Sequence, residues 1–280
     1  MDEIIFPNPK SKIPNQRGFA LPVAGVDIGS RTIKAVVMED GKILSSYIND
    51  SILQGAQAAL DTLSEALKLA GLKQEELQQM VATGYGRFQF PGSEKHISEI
   101  SCHARGVHWY NPEVRTILDI GGQDSKAINC DEKGRLTNFV LNSKCAGGTG
   151  RFLEVIADLL DVSIEDLGAL SGKSTKNISF STVCVIFAKS EALNMLREGV
   201  EKSDIAAGLH NSIATVTSTM LRKISLKKEF SLTGGVAKNI GVIEKISNKT
   251  GMKPYICPEP QLVGAIGAAL FAEGRLKKGA

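Results

Sequence analysis

Apolar residues occur in short runs that predict β-strands and in longer amphipathic stretches that predict helices. Two of the runs, at residues 23–26 and 116–118, are each followed by Asp-Ile-Gly, a second apolar stretch and a turn that contains glycine. Asp40-Gly41 closes the first unit and residues 131–134 close the second. Each unit therefore predicts a β-hairpin.

These two units are copies of one another. Residues 27–35 align without gaps on residues 119–127, with Asp, Ile, Gly, Lys and Ala at identical places. Glycine lets a backbone approach a phosphate closely, and an Asp at the end of a strand can hold the water shell of Mg²⁺. Two related lobes would then place Asp27 and Asp119 on opposite walls of one cleft. The alternative is a pair of hairpins whose Asp-Gly serves only the turn.

A third glycine element lies at residues 231–239. An apolar approach predicts a strand, Gly234 and Gly235 predict a turn, and the amphipathic stretch through Ile243 and Ile246 predicts a helix. Adjacent glycines at such a junction can accommodate a nucleotide base or ribose against bare backbone.

The composition narrows the class of protein. The 280 residues are 42% hydrophobic and 22% charged with a net charge of +3, which indicates a globular protein of one large domain or two lobes. The positive residues are spread along the chain, and no apolar run reaches 18 residues, so we expect neither nucleic-acid binding nor a membrane span. Residues 1–22 carry four prolines and no signal-peptide core, which favours a flexible tail over an arm that docks on a partner.

Five cysteines without an export signal argue for reduced thiols or metal ligands in the cytosol. Cys145 precedes the glycine-rich run 147–150 and an amphipathic stretch, which places it at or near a helix N-terminus, where the helix dipole favours a thiolate. Cys184 lies in an apolar, strand-like run before another helical stretch. Cys102, Cys130 and Cys257 lack such settings and are interpreted as core residues.

The histidines carry no recognisable metal-binding spacing; they are His96, His103, His108 and His210. His103 and His108 are interpreted as ordinary surface or core residues on or beside a helix. Lys34 and Lys126, at equivalent places in the repeat, are interpreted either as phosphate contacts or as solvated side chains.

The three glycine elements resemble the two phosphate motifs and the adenosine motif shared by actin, sugar kinases and heat-shock chaperone ATPases. Residues 119–126 and 145–154 closely resemble the activators of 2-hydroxyacyl-CoA dehydratases and the ATPase subunits of benzoyl-CoA reductases. The resemblance implies an α/β, two-lobed actin-like (ribonuclease H-like) ATPase fold with duplicated mixed-sheet lobes. Its expected parts are a tail at 1–22, lobe I at 23–112 completed by a C-terminal helix at 262–280, and lobe II at 113–261 with the cluster cysteines and the adenosine motif.

The resemblance also implies a set of roles for ATP/ADP and Mg²⁺ in the cleft. The magnesium shell would be organised by Asp27 and Asp119, and phosphate would be held by Gly29, Ser30, Gly121 and Gly122, with Lys34. The attacking water would be oriented by Gln123 and Asp124. The adenosine would be lined by Gly234, Gly235 and Asn239. Cys145 and Cys184 would be ligands of one [4Fe–4S] cluster. Two cysteines cannot complete a four-thiolate site, whereas a two-fold homodimer can.

The function implied is an ATP-hydrolysing electron donor that passes one low-potential electron to a partner 2-hydroxyacyl-CoA dehydratase or a related CoA-ester reductase. A ferredoxin or flavodoxin would be its electron source. Two alternatives stay open: a small-molecule, sugar-type kinase on the same fold without a cluster, with Asp124 as base, and an actin-like filament or scaffold.

Overall fold

The computed structural model describes residues 21–49, 55–91 and 96–279. The tail predicted at residues 1–22 lies almost wholly outside the described residues. Two mixed β-sheets with helices packed on their faces make up the described chain. None of the helices in these three ranges is long and apolar enough to cross a membrane.

The first sheet has the strand order β3-β2-β1-β4. β1 pairs antiparallel with β2 and parallel with β4, and β2 pairs antiparallel with β3. Its strands are β1 (Val23–Ile28), β2 (Ile33–Glu39), β3 (Lys42–Asn49) and β4 (Gln79–Thr83).

The second sheet repeats this arrangement and adds one strand, in the order β7-β6-β5-β8-β9. β5 pairs antiparallel with β6 and parallel with β8. Its strands are β5 (Thr116–Ile120), β6 (Ser125–Cys130), β7 (Leu136–Asn142), β8 (Phe230–Thr233) and β9 (Tyr255–Ile256).

Helices cover the faces of both sheets. They are α1 (Ala56–Ala70), α2 (Glu99–Tyr110), α3 (Gly150–Leu160), α4 (Leu167–Ser171), α5 (Val185–Arg197), α6 (Lys202–Lys223), α7 (Ile240–Thr250) and α8 (Val263–Gly279). Short 3₁₀ turns occupy Gln74–Glu76, Arg87–Gln89 and Gly235–Lys238.

The sequence repeat is also a repeat of strand register. Asp27 pairs with Lys34 across β1 and β2, and Asp119 pairs with Lys126 across β5 and β6. The pairing with the outer strand, β3 or β7, shifts register at the equivalent place, between Val37 and Met38 of β2 and between Asn129 and Cys130 of β6. The duplicated residues therefore adopt the same backbone geometry in the two sheets.

Two helices, α2 and α8, lie between the sheets. On α2, Cys102 packs in the apolar cluster of the first sheet, while Val107 packs in that of the second. Small residues allow this close approach: a Cβ at Gly25 of β1 would lie 2.1 Å from the Ala265 carbonyl oxygen of α8, and one at Gly267 of α8 would lie 1.9 Å from that of Cys102. Since α8 packs against β1, we retain the predicted lobe boundaries as a proposal.

The segments around the two candidate cluster cysteines differ from expectation. Cys184 does not lie in a strand: it is the N-cap residue of α5. Cys145 lies five positions before α3 begins at Gly150, so the glycine-rich run separates it from the helix N-terminus. The helix-start setting expected for Cys145 therefore belongs to Cys184.

Candidate functional site

A cleft of about 550 Å³ lies between the two sheets. The turns after β1, β5 and β8 form its walls, and most of the candidate residues line it: Asp27, Gly29, Ser30, Lys34, Asp119, Gly121, Gly122, Asp124, Gly234, Gly235 and Asn239. Gln123 is exposed and is not among the lining residues. The structure thus brings together eleven of the twelve residues expected at the nucleotide.

The two predicted phosphate turns share one hydrogen-bond geometry. The Gly29 amide donates to the Thr32 carbonyl at 3.1 Å, and the Gly121 amide donates to the Asp124 carbonyl at 2.9 Å. In each turn the chain therefore folds back within four residues, which turns the glycine backbone toward the cleft.

Each sheet also holds a glycine at φ +85° after its parallel strand, Gly84 after β4 and Gly234 after β8. A Cβ would come within 2.5 Å of Asp27 Oδ1 at Gly84 and within 2.3 Å of the Ile120 carbonyl oxygen at Gly234. Both glycines therefore let a turn close against the end of the aspartate-bearing strand. Gly84 was not predicted as part of the site, although a Thr-Gly pair ends both parallel strands.

A buried ammonium lies at the base of the cleft. Lys126 Nζ is 2.8 Å from Asp124 Oδ1, 2.9 Å from Glu99 Oε1 and 3.2 Å from Asp119 Oδ2, and its side chain is 5% exposed. Three carboxylates use the three donors of the ammonium. Lys126 is therefore neither a phosphate contact nor a solvated side chain, and both interpretations drawn from the sequence are wrong.

His103 also belongs to this group, which corrects its interpretation as an ordinary residue. Its Nδ1 lies 3.2 Å from Thr233 Oγ1 and 3.5 Å from Asp119 Oδ1, and Thr233 donates to Asp119 at 3.0 Å. Burial alone would raise the pKa of Asp119, but the charges of His103 and Lys126 outweigh it and lower that pKa to about 2. Asp119 is thus held as a carboxylate.

Glu99 is a second residue that the sequence reasoning missed. It opens α2 one turn before His103, so that both side chains point from the same helix face into the cleft. Burial raises the pKa of Glu99 against the opposing charge of Lys126. The i, i+4 spacing of a carboxylate and an imidazole was the available signal.

Asp27 is a cleft carboxylate with one oxygen unpaired among the described residues. Its Oδ2 lies 3.5 Å from Lys34 Nζ, and its buried Oδ1 has no hydrogen-bond partner among the described residues. Glu99, His103 and Asp119 bring ligand atoms within 4.8 Å of one another, but Lys126 already supplies a cation to two of them. A hydrated Mg²⁺, which takes one or two carboxylates, therefore fits best at Asp27.

α8 reaches this carboxylate through Gly264. A Cβ there would lie 2.8 Å from Asp27 Oδ2 and 3.2 Å from His103 Nε2. The absence of a side chain at Gly264 therefore leaves room for Asp27 and His103. Gly264 thus contacts the site, whereas the sequence indicated only close packing of the helix.

At the other side of the cleft, Asn239 begins α7. Its Oδ1 accepts a hydrogen bond from the Val242 amide at 3.0 Å, so it caps the helix. Its buried Nδ2 has no partner among the described residues. The predicted adenosine turn at Gly234 and Gly235 therefore has beside it a donor that is unpaired among the described residues.

Cys145 and Cys184 lie outside the cleft, in segments that abut. A Cβ at Gly147 would come 2.0 Å from the Val183 carbonyl oxygen, so the chain two residues after one cysteine contacts the residue before the other. Both cysteines are half-buried, whereas Cys102, Cys130 and Cys257 are buried. Beside Cys184, the side chains of Ile186 and Phe187 are 75% and 67% exposed.

Comparisons with known proteins agree with this geometry. Residues 24–272 match the BadF/BadG/BcrA/BcrD ATPase family. The chain is 42% identical over 248 residues to the activator of lactoyl-CoA dehydratase from Anaerotignum propionicum, across 89% of this chain and 96% of the relative. It is 40% identical over 255 residues to the (R)-2-hydroxyglutaryl-CoA dehydratase activating ATPase from Acidaminococcus fermentans, with coverages of 91% and 98%.

A solved structure gives the same result. The activator of the 2-hydroxyisocaproyl-CoA dehydratase from Clostridium difficile, with bound ADPNP, superposes with a TM-score of 0.88 at 39% identity, over 92% of this chain and 97% of that one. The predicted actin-like fold and the predicted family are therefore confirmed. This chain belongs to the BadF/BadG/BcrA/BcrD ATPase family.

Proposed function

We propose that this chain hydrolyses ATP to drive one low-potential electron from a shared [4Fe–4S] cluster into a partner 2-hydroxyacyl-CoA dehydratase or related CoA-ester reductase. The observation that carries the proposal is the pair of half-exposed thiols, Cys145 and Cys184, in abutting segments beside an ATPase cleft. The named relatives that activate such dehydratases support the choice of partner.

Each cleft residue has a role in the proposal that follows from its contacts. Bound Mg²⁺ would supply positive charge that neutralises the phosphate groups. Asp27, whose buried Oδ1 is unpaired among the described residues, would hold the water shell of that ion. The turns at Gly29 and Gly121, which line the cleft, would place backbone beside phosphate. Asp124, fixed by Lys126, orients the attacking water. Gln123 is exposed and does not line the cleft, so we give it no role.

The cluster requires a second copy of the chain. Two thiols per chain supply half of a four-thiolate site, and a two-fold axis through Cys145 and Cys184 supplies the other half. The exposed apolar side chains of Ile186 and Phe187 fit such an interface, because a dimer contact removes them from water. A ferredoxin or flavodoxin would reduce the cluster.

The test is iron and acid-labile sulfide analysis of anaerobically purified protein, with its visible spectrum and its mass in solution. We expect about four irons per dimer, lost in Cys145→Ala and in Cys184→Ala. Cys130→Ala is the matched control, since Cys130 is buried on β6 and should leave the iron content unchanged. The electron-donor role would be refuted if the protein still hydrolysed ATP but remained free of iron after anaerobic reconstitution. The kinase alternative would then be favoured.

A further inference from the structure

An ion pair spans the mouth of the cleft between the lobes. Arg31 lies within the turn between β1 and β2 of the first sheet, and Glu154 lies on α3, which packs on the second. Arg31 Nε donates to Glu154 Oε1 at 3.0 Å. Because both residues line the cleft, this contact joins the lobes where nucleotide would enter between them.

The stem of Arg31 lies directly over the opposite phosphate turn. A Cβ at Gly122 would come 2.8 Å from Arg31 Cβ, so the two turns meet at this side chain. The side chain is 47% exposed, and its hydrogen bonds among the described residues use Nε alone. Both Nη groups can therefore still donate to an anion between the turns.

Glu154 keeps a cation if Arg31 leaves. Its second oxygen, Oε2, accepts from Arg151 Nη1 at 2.9 Å, within the same helix. Half-exposed ion pairs are weak, whereas guanidinium binds phosphate oxygens through parallel charge-assisted hydrogen bonds. A phosphate between the turns should therefore displace Glu154 from Arg31.

Releasing Glu154 would change a helix that is linked to Cys145. The Gly150 and Arg151 amides at the start of α3 donate to the Gly121 and Gly122 carbonyls at 2.9 and 2.8 Å. Upstream of the helix, Asn142 Nδ2 donates to the Cys145 carbonyl at 3.0 Å. The Thr149 amide, which donates to the Ala146 carbonyl at 3.2 Å, links the start of α3 to the residue after Cys145.

We infer that Arg31 makes this chain distinguish a nucleoside triphosphate from a diphosphate. With adenosine at Gly234 and Gly235, the phosphate farthest from it lies between the two turns, where Arg31 exchanges Glu154 for that phosphate. The exchange frees α3 from the first lobe. The inference rests on the proposed function for the nucleotide order along the cleft and for the meaning of a change at Cys145.

The test compares the affinities of the purified protein for ADP and for the β,γ-imido analogue of ATP, each with Mg²⁺, by calorimetry. We expect Arg31→Gln to weaken analogue binding about tenfold and ADP binding by no more than about twofold. Glu154→Gln, which frees Arg31, should strengthen analogue binding. Arg151→Gln, which alters the same glutamate from within its own helix, is the matched control and should not lower the preference for the triphosphate.

Hydrogen exchange of residues 147–154 provides a second readout that does not depend on electron transfer. In the wild type the analogue should change exchange in this segment more than ADP does, and in Arg31→Gln the two nucleotides should act alike. An unchanged ratio of the two affinities in both Arg31→Gln and Glu154→Gln would overturn the inference, even if iron analysis upholds the electron-donor role. A changed ratio in iron-free protein would leave Arg31 as the sensor and remove only the electron-donor role.

Discussion

The buried ammonium of Lys126 makes a direct prediction of stability. Lys126→Met keeps the length of the side chain but removes the cation from three carboxylates at 2.8, 2.9 and 3.2 Å. Asp119 is buried, so water cannot solvate its charge in place of the ammonium. Breaking a buried pair by removing one partner costs about 3–5 kcal/mol of unfolding free energy, and we expect a loss of that size near pH 7.5.

The loss should depend on pH. Without Lys126, the cheapest relief is protonation of a carboxylate, and Glu99 is the first candidate because burial already raises its pKa. As the pH falls toward 5, a proton on Glu99 replaces part of the missing positive charge, so the difference between variant and wild type should shrink. Glu99→Gln in the Lys126→Met background should recover part of the stability at pH 7.5 for the same reason.

Urea unfolding of nucleotide-free protein, followed by circular dichroism at pH 7.5 and pH 5, measures both effects. Glu165→Gln is a suitable control, since it changes a cleft carboxylate for which no salt bridge is found among the described residues. A Lys126→Met protein within about 1 kcal/mol of wild type at pH 7.5, or a deficit that grows at pH 5, would show that the ammonium does not organise these carboxylates.

Three further predictions follow from single positions. Gly264→Ala places a methyl group against Asp27 and should lower kcat/KM for ATP about tenfold or more, whereas Gly274→Ala in the same helix, with open space around it, should leave steady-state kinetics unchanged. Burial, aided by Lys245, lowers the pKa of His210 from 6.5 to about 4, so its contribution to stability is present above pH 6.5 and is lost as the pH falls toward 4. In paired urea titrations, the unfolding free energy of the wild type should fall by about 2 kcal/mol between pH 7 and pH 5, and that of His210→Leu should not show this fall. In iron-free protein under argon, iodoacetamide should quickly label two thiols, those of Cys145 and Cys184. Mass spectrometry should find the other three cysteines labelled only after unfolding, because burial raises the pKa of their thiols. Rapid labelling of a third thiol would contradict this.

The parts of the site that the sequence predicted are those encoded locally. Asp-Ile-Gly at the end of an apolar run determines a strand, a turn and a register within nine residues, and both copies adopt them. The Asp40-Gly41 turn likewise lies at φ 49° and 71°, as its residue types demand. In these segments the short-range chemistry and the tertiary fold favour the same conformation.

The missed parts depend on tertiary packing. Lys126 meets Glu99 only because α2 lies between the two sheets, which no local pattern reports. The apolar run before α5 has β-branched residues that favour a strand, yet the chain becomes helical from Val185, and Ile186 and Phe187 stay exposed. A short apolar run does not distinguish strand from helix, and the packing of Ala188 and Ala192 decides the outcome.

Two lysines at equivalent places in the repeat have different roles. Lys34 and Lys126 occupy the same register opposite Asp27 and Asp119. In the part of the chain that the structure describes, the ammonium of Lys34 forms one salt bridge, with Asp27 at 3.5 Å, and it would lie 3.1 Å from a Cβ at Gly29. It therefore lies beside the turn with donors to spare. In the second lobe, Glu99 and Asp124 take the donors that Lys126 would otherwise offer. The first copy of the turn can therefore bind added negative charge, whereas the ammonium in the second copy is occupied by carboxylates. The difference follows from Glu99, which α2 places beside the second sheet, and from Asp124, where the first copy has Thr32.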